Sequence, residues 1–395
     1  MANNNNTKNL NVPNLRFPEF KGEWKKYKVS DILEFFPTNS LSWDQLEYGT
    51  DNIYNLHYGL IHKGLPTQIE LVKCSLPNIK KELIPKNYTL CKDGDVAFAD
   101  ASEDTNDVGK VVEFLSCENK NIICGLHTIH GRDKKNLTIN GFKGYAFSSE
   151  IFRCQIRRLS QGTKIYSISP KNFKDISIGV PSKEEQSKIA ALLWLLDHRI
   201  ATQNKIIEKY ESLIKGLRYY ILEESTHYNC LGNLCDIIKG QQVNLDNLLK
   251  HGKYYVMNGG TQPSGYYNSY NTDAGTISIS EGGNSCGYIQ YNKENFWSGG
   301  HCYTLQNIKS ELTKKYLYHY LKSNEKMIMA LRVGSGLPNI QKKDLMSLRI
   351  PIPTKENQKK ISCLLDSIED KISVETNVLK YAIKQKSYLL RQMFI

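Results

Sequence analysis

Val180-Pro-Ser-Lys-Glu-Glu-Gln186 returns later in the chain as Ile352-Pro-Thr-Lys-Glu-Asn-Gln358, and its surroundings return with it. Residues 168 to 222 and 340 to 394 align without a gap at a constant offset of 172 positions. Pro181, Lys183, Glu184, Gln186, Lys188, Ile189, Leu192, Leu193, Ile200 and Leu217 fall on Pro353, Lys355, Glu356, Gln358, Lys360, Ile361, Leu364, Leu365, Ile372 and Leu389. A fixed offset over so long a run marks an internal duplication with a pseudo-twofold design. What the chain does, it is built to do twice.

Outside this stretch the repeat is fainter but ordered. Val29 to Ile32 resembles Leu234 to Ile237 at an offset of 205, Asp95 to Ser102 resembles Gly275 to Gly282 at 180, and Gly125-Leu-His127 resembles Gly299-Gly-His301 at 174. The steady fall towards 172 implies two homologous globular domains, the first lengthened by about 33 residues of loop insertions. A well-kept segment follows each.

That segment reads as a long helix. Ser182 with Glu185 has the spacing of a capping box, and Thr354 stands at the position of Ser182 in the second copy. Ile189, Leu193, Leu196, Ile200, Gln203, Ile207, Tyr210, Ile214, Leu217 and Ile221 then occupy heptad a and d positions. The second copy gives Ile361, Leu365, Ile368, Ile372, Glu375, Leu379, Ala382, Lys386, Leu389 and Met393. A single such stripe would suit a helix packed on its own domain. Two copies, far longer than the usual 11 or 12 residues, favour a mutual coiled coil. The polar interruptions Gln203 and Glu375 fall at equivalent positions, so an antiparallel pair would bring them face to face and fix its register.

Composition fits two medium domains and a stalk: 395 residues, 40% hydrophobic and 23% charged. No apolar run approaches the roughly 20 residues of a membrane span. The Met-Ala-Asn-Asn-Asn-Asn start lacks a secretory apolar core and suggests a flexible tail. Ten cysteines without a Cys-x-x-Cys pair, the nearest spacing being Cys230 to Cys235, point to reduced thiols in the cytoplasm and away from zinc.

The net charge of +12 suggests a polyanionic partner. Candidate DNA contacts are Arg132, Lys134, Lys135 and Lys143 in the first domain. In the second they are Ser264, Tyr266, Tyr267, Lys293, Lys314 and Lys315. Basic, Tyr and Ser side chains on loops suit phosphates and base edges. Catalytic motifs are missing: no phosphate-binding Gly-x-x-x-x-Gly-Lys loop and no Asn-Pro-Pro-Tyr or Asp-Pro-Pro-Tyr tetrapeptide occurs. The acidic run Asp100, Glu103, Asp104 could in principle hold a nuclease metal, but its counterpart Ser280-Glu281-Gly-Gly drops most carboxylates, which favours a polar turn and no metal site. His127 and His301 read more readily as a structural pair than as bases, since no carboxylate or nucleophile is fixed beside them in sequence.

Two divergent domains, each followed by Lys-Glu-x-Gln and a long helix, resemble the specificity subunit of type I restriction-modification enzymes, and the resemblance covers nearly the whole chain. Its carriers are Leu15 to Trp24, Asp95 to Asp104, Pro263-Ser-Gly-Tyr-Tyr267 and the two repeats quoted above. The resemblance implies an α+β fold in which two globular mixed α/β target recognition domains are joined by two long antiparallel helices forming a coiled coil. The implied division is a flexible tail (1–20), a first target recognition domain (21–180), a first spacer helix (181–224), a second target recognition domain (225–352) and a second spacer helix (353–395).

It further implies a non-catalytic subunit that reads a bipartite, asymmetric site on double-stranded DNA. The heptad residues Ile189, Leu193, Leu196, Ile200, Gln203 and Ile207, with Ile361, Leu365, Ile368, Ile372, Glu375 and Leu379, would form the helix interface. Two modification subunits would dock on the repeats and methylate adenine, and restriction subunits would join them. S-adenosylmethionine, and ATP with Mg, would be bound by those partners, with no cofactor here. The alternative is a DNA-binding regulator or inactive specificity cassette without enzyme partners.

Overall fold

The computed structural model describes residues 11–221, 227–334, 336 and 338–395. They divide into two compact units, Met1–Thr202 with Val378–Ile395, and Gln203–Asn377. The long helices run over Lys183–Ile221 and Lys355–Gln392, so each unit owns a stretch of both. Each compact body is a globular domain plus a two-helix segment.

In the first unit, Lys25–Lys28 pairs antiparallel with Ser177–Val180 and closes the domain where the chain enters and leaves it. A five-stranded sheet runs in the order Leu33–Phe36, Thr128–Asp133, Val96–Ala99, Val111–Ser116, Gln68–Glu70. Val96–Ala99 lies at its centre with all four residues buried. Side chains alternate across a strand. Val96 and Phe98 therefore enter one core with Phe142, Phe147, Phe152 and Phe173, while Ala97 and Ala99 enter another with Leu56, Phe114 and Cys124. A second sheet orders Ile122–Cys124, Tyr54–Leu56, Asn78–Ile79 and Leu46–Glu47.

The second unit repeats the plan. Tyr228–Cys230 pairs antiparallel with Arg349–Pro351. A four-stranded sheet orders Asp236–Lys239, Cys302–Gln306, Thr276–Ser280, Ile289–Asn292, and a three-stranded one orders Gly265–Tyr267, Tyr254–Met257, Trp297–Ser298.

The repeated glutamine explains itself in the structure. Gln186 is fully buried and accepts from Ile139 N at 2.9 Å while donating to the carbonyls of Leu137 and Pro181 at 3.0 and 2.9 Å. Gln358 does the same with Thr313 N, Glu311 O and Pro353 O at 2.7, 2.9 and 2.9 Å. Each glutamine therefore rivets the start of a long helix to a domain loop through main-chain atoms alone. About three turns further on, Asp197 accepts from Tyr145 Oη at 2.9 Å and pairs with Lys386 at 2.5 Å, and Glu369, its repeat equivalent, accepts from Tyr318 Oη at 3.2 Å and pairs with Arg218 at 2.5 Å.

The helices pair antiparallel in each unit. In the first, Ile189, Leu193 and Leu196 share a core with Leu389 and Met393. In the second, Ile214 packs with Ile361, Leu365 and Ile368. Ile200, Ile207, Ile372 and Leu379 are half-buried. The Ile221 side chain lies outside the described residues.

Two local expectations change. Glu185 N bonds Ser182 Oγ at 3.3 Å, but the Glu185 carboxylate does not return to the cap. It takes the Arg16 guanidinium at 2.7 Å through both oxygens and accepts from Trp24 Nε1 at 3.2 Å. For the same reason the tail expected over 1–20 is tied down where it is described: Arg16 is held by that buried carboxylate, and Leu15 N bonds Gln392 O at 2.9 Å. The expected tail residues 1–10 lie outside the described residues. Among the described residues no helix is long and apolar enough to cross a membrane.

Candidate nucleic-acid interface

The hydrogen-bond ladder shifts the faint alignment of the two domains by one residue. Thr128 stands opposite Ala99, and Cys302, the equivalent of Thr128, stands opposite Ser280. Ala99 therefore matches Ser280, and Asp100 matches Glu281. Asp100 N bonds His127 O at 3.0 Å and Glu281 N bonds His301 O at 2.9 Å, which confirms the match. One residue of slip reverses every face of a strand, so the alignment by residue type had hidden this pair.

Each unit thus presents a histidine beside a carboxylate where the central strand meets its neighbour. His127 Nδ1 lies 3.1 Å from Asp100 Oδ1, and His301 Nδ1 lies 3.6 Å from Glu281 Oε2. The histidine side chains are 48% and 63% exposed, too open for the purely structural role expected of them. His127 also adopts a left-handed backbone, φ 54°, uncommon for a residue with a Cβ. Burial raises the Asp100 carboxyl above its ordinary range, with the neighbouring His127 working in the opposite direction. Glu281 Oε1 accepts from Lys239 at 2.7 Å and from Tyr303 Oη at 2.8 Å. Its buried Oε2 has no hydrogen-bond partner among the described residues.

Aromatic and basic groups lie beside the first pair, and the second unit carries its own set on its small sheet. In the first unit Tyr58 meets His127 edge-on at 5.1 Å, Trp43 lies 4.3 Å from His57, and Lys63 sits 5.3 Å over the Trp43 ring. Trp43 is 40% exposed. In the second unit the small sheet carries Tyr267 against Trp297 and Tyr254 against Tyr270, each at 5.0 Å, with Lys253 over Tyr254. Partly exposed rings beside cations can grip a phosphate backbone and read base edges.

Of the residues expected to touch DNA, Ser264, Tyr266 and Tyr267 lie at this small sheet, on or beside its strand Gly265–Tyr267. Lys134 and Lys135 are exposed, with Lys134 Nζ on the Ser30 carbonyl at 2.8 Å. Lys143 does not belong to a surface: it is buried and pairs with the fully buried Glu113 at 3.0 Å. Arg132 spends its guanidinium on Asp95, through Nε at 2.8 Å and Nη2 at 2.7 Å, and stacks on Phe36. Lys315 is bound to Asp366 at 2.9 Å and Lys293 lies 3.4 Å from Asp370, both on the second long helix. Lys314 is exposed beside Lys315. The acidic run is a polar turn in which Asn106 N bonds Asp104 Oδ1 at 2.8 Å, and Glu103 and Asp104 are exposed. Trp43, Tyr58, Lys63 and Lys253 were missed. The Lys253-Tyr254-Tyr255 run was a usable signal, but Trp43 reaches His57, and Tyr58 reaches His127, only through folding.

Two unlike mixed domains, each with an antiparallel pair of segments from the duplicated long helices, define an internally repeated scaffold. The model of the type I restriction modification DNA specificity domain matches residues 21–212 and again 224–385, and the chain belongs to that family. A Mycoplasma genitalium protein named as a type I specificity subunit is 36% identical over 129 residues, which is 32% of this chain and 33% of that protein. The chain thus matches about a third of the length of this curated relative. The crystal structure of a type I restriction-modification S subunit from M. genitalium aligns with a TM-score of 0.70 at 18% identity, covering 97% of this chain and 99% of that one. A chain from a structural study of complex assembly in the type I R-M system gives 0.55 at 17% identity, covering 93% and 96%. At such identities these two structures speak for the fold.

Proposed function

We propose that this chain supplies DNA sequence specificity to a type I restriction-modification complex. Each globular domain reads one half of a bipartite, asymmetric site. The two repeated segments, beginning at Lys183 and Lys355, receive two identical modification subunits, which restriction subunits join. S-adenosylmethionine, and ATP with Mg, belong to those partners, and the chain itself is non-catalytic.

The observation that carries this reading is the contrast between what the duplication kept and what it changed. The helix starts retain the same main-chain rivets through Gln186 and Gln358, while the exposed patches differ in every ring and cation. Identical partners need like surfaces, and unlike half-sites need unlike readers. The excess of positive charge suits the phosphate contacts on which such binding rests.

Mapping adenine methylation across a host genome, with and without this gene and in the presence of its modification subunit, tests the reading. Loss at one gapped, two-part motif supports it. Unchanged methylation, with the modification subunit expressed and bound, would show a regulator or an inactive cassette.

A further inference from the structure

Cys91 lies 33 positions before Cys124, which shares one short segment with His130, and the three meet in the interior of the first unit. Their exposures are 5%, 2% and 0%. Both cysteines are free, their sulfurs stand 3.6 Å apart, and the two sulfurs and a ring nitrogen of His130 all lie within 4.8 Å of one another. A disulfide needs about 2.05 Å. Two thiolates bound tetrahedrally to one zinc ion, with Zn–S near 2.3 Å, stand about 3.8 Å apart. The observed separation is close to the second value.

The histidine is prepared for the same task. Its Nε2 faces Asp95 Oδ2 at 2.8 Å, and its Nδ1 is buried with no hydrogen-bond partner among the described residues. A buried polar atom left without a partner is costly, so such an atom calls for an occupant. A carboxylate behind Nε2 fixes the tautomer whose Nδ1 carries a lone pair, as in histidines that bind metal. Asp95 is itself held rigid by Arg132 and by Lys92 N at 2.8 Å. Three donors and their outer support are thus assembled in advance.

We propose that Cys91 Sγ, Cys124 Sγ and His130 Nδ1 bind a zinc ion, with water as the fourth donor. Two soft thiolates and an imidazole select zinc over magnesium or calcium, which take oxygen donors. On binding, two Cys S–H bonds give way to two S–Zn bonds, and both protons leave to solvent, so the buried site carries no net charge. Cys124 ends strand Ile122–Cys124, and His130 lies in Thr128–Asp133. The ion therefore pins both ends of the turn Gly125 to Ile129, which presents His127. Cys91 joins from a third segment whose amide bonds Ile122 O at 2.8 Å. In the second unit the equivalents of Cys124 and His130, at the offset of 174, are Ser298 and Thr304, which supply neither a thiolate nor an imidazole.

The test uses the full chain, expressed with zinc in the medium and purified without chelators, with metal counted by plasma mass spectrometry. We expect about one zinc per chain, loss of it in Cys91→Ser and in Cys124→Ser, and retention in Cys235→Ser. Because the first two variants could misfold, cobalt is also loaded into the unaltered chain, where thiolate-to-cobalt charge-transfer bands and the d–d bands of a tetrahedral ion are expected. Substoichiometric zinc together with missing cobalt bands would overturn the proposal. So would full zinc retention in both serine variants, or a Cys91–Cys124 disulfide in protein handled without oxygen.

Discussion

Gln203 donates from Nε2 to Oε2 of Glu375 at 2.5 Å and to the Glu375 main-chain oxygen at 3.2 Å. The two residues are 172 positions apart, which is the offset of the duplication. Equivalent points of two copies touch only at the midpoint of an antiparallel pair, so this contact sets the register of the helices. Removing one partner leaves a half-buried polar group on an apolar seam. Gln203→Leu alone should therefore cost about 1–3 kcal/mol. Gln203→Leu with Glu375→Leu should return thermal stability to the parent value or above, while broadening the register. Calorimetry of the three variants decides the matter: a double variant less stable than the single one would show that the polar pair stabilises the helices outright.

His57 supplies a pH dependence. Its Nδ1 accepts from Gly59 N at 3.1 Å and caps the helix Tyr58–Lys63, a role open only to the neutral ring. Burial, then the nearby His127 and Lys63, push its pKa down from 6.5 to about 4. Between those values the unfolded chain binds a proton that the folded chain refuses. His57 therefore contributes stability in full above pH 6.5, and that contribution falls as pH drops towards 4. In His57→Asn, which keeps a capping acceptor, the slope of melting temperature against pH over this window should flatten. An unchanged slope would assign the acid sensitivity to other groups.

Lys143 offers a sharper test of placement. Its ammonium faces Glu113, whose carboxylate also accepts from Gly141 N and Gly144 N at 2.9 and 2.7 Å. Burial raises the Glu113 carboxyl, against the pull of Lys143 and the two amides. Lys143→Ala strands a buried anion and should destabilise the first unit by about 3–5 kcal/mol. DNA affinity of the fraction still folded should be unaltered. A loss of affinity at normal stability, read by denaturant titration beside a binding isotherm, would return Lys143 to the DNA face.

The helices were legible because heptad spacing is local and was written twice. Gln203 opposite Glu375 followed from the offset alone. The strand Val96–Ala99 was less readable, since Val-Ala-Phe-Ala and Thr-Ile-Ser-Ile-Ser fit each other nearly as well at either of two registers. Only the ladder to Thr128 and Cys302 decides, and with it the pairing of Asp100 and Glu281 with their histidines. Arg132 and Lys143 were read as surface cations because their partners, Asp95 and Glu113, are 37 and about 30 positions away in sequence. Cys91 escaped notice for the same reason, standing 33 positions before Cys124. Short motifs report chemistry along the chain, and these groups meet across it.

The rivets also make the globular domains exchangeable. Gln186 and Gln358 grip only main-chain atoms of the loops they hold, Leu137 and Ile139 in one case and Glu311 and Thr313 in the other. Both domains extend a tyrosine to the helix acid, Tyr145 to Asp197 and Tyr318 to Glu369, which His319 also approaches at 3.8 Å. A foreign reader with that loop and that tyrosine should seat without further change. Replacing residues 27 to 165 by the corresponding part of another family member should therefore leave modification-subunit binding intact, alter one half-site and spare the other. Methylome sequencing of cells carrying the hybrid reads both halves at once. A shift in both half-sites would mean that the domains do not read independently, and the division of labour proposed above would fail.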